Sequence, residues 1–166
     1  KQPPQIREAQ LETWQTVPNT GMVVIPDAAD STDIHPRWKQ IPGERLAKWA
    51  LAKTYDKKIA FSGPKYKSHE VRGNQVVVSF DYTDGGLKSN DNKPLMGFCL
   101  AGADKVFHPA KVEIEGNKLV LSASEVGSPM AIRYNWDKFF RTNFFNGAGL
   151  PATSFRTDRW VDKVEQ

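Results

Sequence analysis

Two kinds of apolar spacing divide the chain. In its first third, Ile6, Leu11 and Trp14 follow the pair Pro3-Pro4 on one helical stripe, and Leu46, Trp49 and Ala50 repeat that spacing further on. A proline pair suits a helix entrance, and the second stretch is rich in strong helix formers. The pattern predicts one helix ending near Val17 and another from about Ile41 to about Tyr55. Between them, Pro18-Asn19-Thr20-Gly21 has turn chemistry. Met22-Val23-Val24-Ile25 is then a continuous apolar run, typical of a strand covered on both faces.

From Asp56 onward the helical spacing gives way to short alternating strands between turn residues, as in Gln75 to Tyr82 and Lys118 to Ser122. Val71-Arg72-Gly73-Asn74-Gln75-Val76-Val77-Val78-Ser79 is echoed by Ile114-Glu115-Gly116-Asn117-Lys118-Leu119-Val120-Leu121-Ser122. Each copy carries Gly-Asn where a two-residue hairpin wants positive φ. Two hairpins in a β-sandwich of modest size are expected, although one short echo does not make a repeat architecture. The stretch from Lys138 to Asp158 is rich in Phe, Asn, Gly and Pro without periodicity, and is expected to wrap over other surfaces as an ordered loop. The fold class is thus an α/β fragment of helix, strand, loop and helix (residues 1–55), followed by a mainly antiparallel, β-sandwich-like domain (residues 56–166).

Composition narrows the partners. The 166 residues are 39% apolar and 25% charged, in the globular range. No apolar run approaches the roughly 20 residues of a membrane-spanning helix, so no membrane partner is expected. The formal charge of +4 is interleaved with acidic residues rather than gathered into a stripe, which argues against nucleic acid. Cys99 is the single cysteine and lies in an apolar run, as a structural thiol would. The start at Lys1-Gln2-Pro3-Pro4, without a basic-then-apolar leader, points to a piece cut from a longer polypeptide.

Candidate chemistry gathers in the polar loop from Pro26 to Pro36, at the C-terminal end of the expected strand, where open α/β sheets place ligand sites. Of the three histidines, only His35 lies here with carboxylates nearby, at Asp27, Asp30 and Asp33. Activating a serine hydroxyl takes an imidazole to accept its proton and a carboxylate to hold the other ring nitrogen. His35 and one of these aspartates fit those roles. The ordinary alternative is a His-Pro turn with aspartates bonding their own backbone, and spacing by itself favours it. No second histidine is near, so neither metal nor other cofactor is expected. His69 and His108 sit in strand-like settings and take no catalytic role. Trp136, Phe139, Phe140, Phe144 and Phe145 have the chemistry to stack on a sugar, but clustered aromatics more often pack a core.

The words Ile6-Arg7-Glu8-Ala9-Gln10, Pro18-Asn19-Thr20-Gly21-Met22, Asp33-Ile34-His35-Pro36 and Gly43-Glu44-Arg45-Leu46-Ala47 together resemble sialate O-acetylesterases. The resemblance runs on through Ser62-Gly63-Pro64, Phe107-His108-Pro109-Ala110, Arg133-Tyr134, Trp136, Ala148-Gly149-Leu150-Pro151-Ala152 and Phe155-Arg156-Thr157-Asp158, in order and over nearly the whole chain. It implies that residues 1–55 are the C-terminal part of an SGNH-type three-layer hydrolase domain, whose serine lies near its N-terminal end and whose histidine matches His35. The implied partners are an O-acetylated sialic acid or sialoglycan substrate and the upstream part of the same polypeptide. The implied location is periplasmic or secreted.

Two departures stand out. No Gly-Asp-Ser or Gly-Gln-Ser block occurs, nor a recognisable oxyanion-hole glycine and asparagine, so the chain by itself is expected to be inactive. SGNH enzymes often carry Asp-x-x-His, whereas Thr32 stands three before His35, leaving Asp33 as the nearest carboxylate and Asp30 or Asp27 as alternatives. The rival readings are a carbohydrate-binding β module using Trp136, and a structural brace whose segment 139–151 packs back on the hydrolase domain. Aromatics in clusters rather than on an isolated platform favour the brace.

Overall fold

The computed structural model describes residues 4–28, 35, 37–137 and 142–161. Helix α1 spans Pro4–Thr16 and α2 spans Gln40–Lys53, within a residue or two of the expected bounds. Proline opens α1 because the first turn has no use for its missing N–H. The helix closes where Asn19 turns to φ 59° and the Thr20 hydroxyl donates to the Val17 carbonyl at 2.8 Å. The run Met22–Ile25 differs from expectation: it is half-buried but forms no strand, because no described segment pairs with it. A buried parallel strand takes its hydrogen bonds from neighbours on both sides, and apolar residues cannot replace that ladder.

The remainder is antiparallel β structure: β1 (Lys65–Arg72), β2 (Gln75–Asp81), β3 (Leu87–Ser89), β4 (Phe98–Ala101), β5 (Phe107–Pro109), β6 (Lys111–Glu115), β7 (Lys118–Ser122), β8 (Ala131–Tyr134), β9 (Phe144–Asn146) and β10 (Phe155–Arg156). One sheet runs β1-β2-β7-β6, a second runs β10-β8-β4-β5, and β3 pairs with β9 beside them. Val76, Val78 and Phe80 of β2 and Leu119 and Leu121 of β7 meet Phe98, Leu100, Ile132, Tyr134 and Phe155 in one core. Tyr134 is fully buried, and its hydroxyl bonds Thr142. Desolvation of the phenolate pushes its pKa up, and the Thr142 bond offsets only part of that.

The sequence echo becomes geometry in the first sheet. Gly73 and Gly116 take φ 63° and 60° at their hairpin turns, as the Gly-Asn words require. The inner strands of the two hairpins pair with each other, Val76 opposite Leu121, Val77 opposite Val120 and Val78 opposite Leu119. Val77 and Val120 are equivalent positions in the echo and partners in the ladder, so the sheet has a local two-fold axis between them.

The stretch after Lys138 is more than a wrapping loop. Residues 138–141, which include Phe139 and Phe140, lie outside the described residues, but β9 pairs with β3, β10 extends the second sheet and Phe144 is fully buried. Three-residue and two-residue strands are too short to show an alternation, which is why the pattern hid them. Trp136 is half-buried between guanidinium groups rather than presented as a platform.

Candidate active site

The loop that carries His35 leaves Met22–Ile25 and ends at α2. Its first turn is closed by the Ala28 N–H donating to the Ile25 carbonyl at 3.1 Å, with Ala28 buried. Beyond it, Asp30 and Asp33 lie outside the described residues. His35 itself is exposed. Asp27 is engaged elsewhere: Arg45 of α2 donates Nη1 to its Oδ1 at 2.8 Å and Nη2 to its Oδ2 at 2.6 Å. Arg45 Nη1 also donates to the Val24 carbonyl at 2.6 Å. Among the three candidate aspartates, Asp27 therefore has both carboxylate oxygens committed to an arginine.

Arg45 is 8% exposed, and it shares a helical face with Trp49 one turn along. Trp49 seats that face. Its ring meets Trp14 edge-on at 5.2 Å and Phe61 at 4.7 Å, and Phe61 in turn meets Tyr82 at 5.3 Å. A side chain at Gly21 would stand 2.7 Å from the Trp49 ring, which accounts for the glycine of the Asn19-Thr20-Gly21 turn. Sequence reasoning passed over Arg45, although a charge four residues before a tryptophan on an apolar helical stripe was the available signal.

A narrow cleft with room for about one water molecule is lined by Met22, Val24 and Arg45 and by Gly63, Leu150 and Pro151. A side chain at Gly63 would fall on the Pro151 carbonyl oxygen, so the Ser62-Gly63-Pro64 and Leu150-Pro151 words meet backbone to backbone. Asn146, fully buried, ties this wall together by donating to the Ser62 and Tyr82 carbonyls at 3.0 Å each and accepting from Leu150 N–H.

A second cluster holds α1 to the sandwich. Arg7 Nη2 donates to the Asn135 and Asp137 carbonyls at 2.8 and 2.7 Å, and Glu8 accepts two bonds from Arg156 at 2.8 Å each. Arg133 makes the same two-bond contact with Asp158 at 2.9 and 2.8 Å. The Arg156 guanidinium lies 4.7 Å from the centre of the Trp136 ring. These residues make up much of the shared vocabulary read from the sequence, and their chemistry is that of attachment: planar forks on carboxylates, carbonyls and one indole.

The described residues hold no cluster of His, Cys, Asp or Glu able to bind a metal, and no helix long and apolar enough to cross a membrane. Cys99, half-buried in β4, has its thiol pushed up by burial, partly offset by the nearby Arg133 charge, as suits a structural cysteine.

No protein-family profile and no curated protein matches this sequence. Among solved structures, a carbohydrate acetylesterase from Xanthomonas citri superimposes with a TM-score of 0.90 at 36% sequence identity, over 95% of this chain. The chain spans 36% of that protein's length. The helices and the β-rich region described above are thus shared with a carbohydrate esterase.

Proposed function

We propose that this chain is the part of a carbohydrate ester hydrolase that supplies the general-base histidine and the β domain behind it. The likeness to a carbohydrate acetylesterase over 95% of the chain at 36% identity carries the reading. His35 accepts the proton of a serine supplied by an upstream part of the same polypeptide as that serine attacks an acetyl carbonyl. The imidazolium then gives that proton to the departing sugar oxygen, which leaves as a hydroxyl. Water, activated by the same imidazole, releases acetate from the acetyl-enzyme. Asp33 orients the ring. The commitment of Asp27 to Arg45 supports leaving that role to Asp33 or Asp30, of which Asp33 is nearer His35 in sequence.

The substrate proposed on the ordered sequence words is a sialic acid O-acetylated on its glycerol side chain, reached in the periplasm or outside the cell. Residues 1–55 then complete an SGNH-type domain, and residues 56–166 brace it. The cleft wall of Gly63, Leu150 and Pro151 against Met22 and Val24 favours a brace over a free glycan-binding module.

The test is acetate release by an extended polypeptide that includes upstream sequence, offered 9-O-acetylated sialic acid and acetylated neutral oligosaccharides. His35→Ala at matched folding should lose about 10³-fold or more in kcat. Activity on the neutral sugars alone would keep the esterase and discard the sialate. Full activity of His35→Ala would discard the histidine's role.

A further inference from the structure

Helix α2 is apolar on two faces, and this chain covers one of them. Arg45 and Trp49 turn inward, whereas Leu46 and Leu51 stand 55% and 40% exposed on the other side, flanking the exposed Gly43, Ala47 and Ala50. The charged neighbours are drawn away from that surface. Glu44 accepts from Gln40 at 2.6 Å, Arg45 reaches Asp27, and the Lys53 ammonium lies 4.6 Å from the centre of the Phe61 ring. A helix that is apolar all round belongs where both faces are buried. Gly43 makes the same point. Glycine inside a helix is destabilising relative to alanine, yet a side chain added at Gly43 would meet nothing within 4 Å, so no contact within the chain calls for its absence. Beside this helix runs Met22–Ile25, reached by Arg45 at the Val24 carbonyl. The run is half-buried, and the N–H groups of Met22, Val23, Val24 and Ile25 find no acceptor among the described residues. Native proteins pair such backbone donors once they leave water.

We propose that the outer face of α2, together with Met22–Ile25, is the docking surface for the upstream part of the same polypeptide, which seats a helix between Leu46 and Leu51 and supplies acceptors to the unpaired run. The length of the related protein argues for this occupant. The carbohydrate acetylesterase from Xanthomonas citri matches this chain over 36% of its own length, so most of a protein of that kind lies outside these residues. The shape of the face argues for a protein rather than a lipid surface. An interfacial helix presents bulky apolar residues with a basic polar face. Gly43, Ala47 and Ala50 instead leave a shallow floor between two leucines, where the axis of a second helix can approach closely. The inference rests on the reading that an upstream part carries the serine, and it adds where that part is held.

Hydrogen exchange reads this surface without any substitution. In the 166-residue chain the Met22–Ile25 amides should exchange within about tenfold of an unstructured peptide, and in the extended polypeptide about 10³-fold or more slower. Ala50→Arg places a good helix former at an exposed position, so it should move the Tm of the 166-residue chain by less than about 2 °C. In the extended polypeptide the same change should lower Tm by more than about 5 °C, because it puts a charge where a helix is seated. Protected amides in an extended polypeptide that releases acetate from no ester would keep the docking surface and discard the esterase. Acetate release by an extended polypeptide whose Met22–Ile25 amides still exchange freely, and which tolerates Ala50→Arg, would overturn the surface while the esterase stands. Protection that appears in the 166-residue chain alone, in step with a dimer in sedimentation, would give the face to a second copy and overturn the proposal as well.

Discussion

The two regions of the molecule close their cores to different extents. Between β1 and β10, two sheets enclose Val78, Leu100, Leu119, Leu121, Tyr134 and Phe144 at essentially zero exposure. Among the described residues between Pro4 and Lys53, only Pro4, Ala28, Arg45 and Trp49 are buried, and Leu46 and Trp38 stand 55% and 70% exposed. The apolar run 22–25 pairs with no described strand. The contrast teaches that the β region is stabilised from within, while the helical region borrows its order from the sandwich, through the Trp49 cluster and the arginine contacts of α1.

The largest effect should come from the closed core. Phe144→Ala removes a fully buried ring that meets Phe80, Phe98 and Tyr134, and is expected to cost about 3–5 kcal/mol in urea denaturation. A loss under about 1 kcal/mol would mean that the sandwich is less tightly packed than the contrast requires.

Next comes an ion pair inside the β region, beside the contacts that hold α1. Asp158→Ala removes the carboxylate that takes two bonds from Arg133, whose side chain is 13% exposed, and should cost about 3 kcal/mol. Burial alone would raise the Asp158 carboxyl. The Arg133 hydrogen bond and charge, the Trp160 N–H and the Arg156 charge outweigh that and hold it below its ordinary 3.8. A carboxyl depressed in the folded state lends stability that is fully present above its unfolded value and fades as pH falls through the folded one. Wild-type stability should therefore decline below about pH 4, and Asp158→Asn should flatten that decline. Parallel curves for the two proteins would assign acid sensitivity elsewhere.

The smallest effect should lie on α2. Leu46→Ala, at an exposed position, should change the stability of this chain by less than about 0.5 kcal/mol. In an extended polypeptide that covers α2, the same change should cost roughly 2 kcal/mol or more. Equal small values in both would argue that the helical face stays open to water.

Much of this contrast was legible in the residues, because local chemistry fixed it. The Gly-Asn words located both hairpins, and apolar spacing located both helices. What escaped were features decided by distant partners. Met22–Ile25 reads as a strand, yet a strand exists only where a neighbour supplies its ladder. Strands β9 and β10 are too short to alternate and are defined by pairing with Leu87–Ser89 and with Arg133 and Tyr134. At the site, spacing by itself favoured an ordinary His-Pro turn, and it left three aspartates open beside His35. The engagement of Asp27 depends on Arg45, eighteen residues away, and no local spacing announces it.

The two-fold pairing of the hairpins also governs how the domain behaves among its own copies. Because the valine-rich inner strands pair with each other, the strands left at the borders of that sheet are β1 and β6. Those borders carry Lys67, Glu70, Arg72, Lys111, Glu113 and Glu115, and β1 is further kinked by a register shift between Tyr66 and Ser68. Charged and irregular margins resist the addition of a foreign strand. The arrangement that hides the most aggregation-prone sequence at the centre of the sheet also leaves it framed by gatekeepers on both sides.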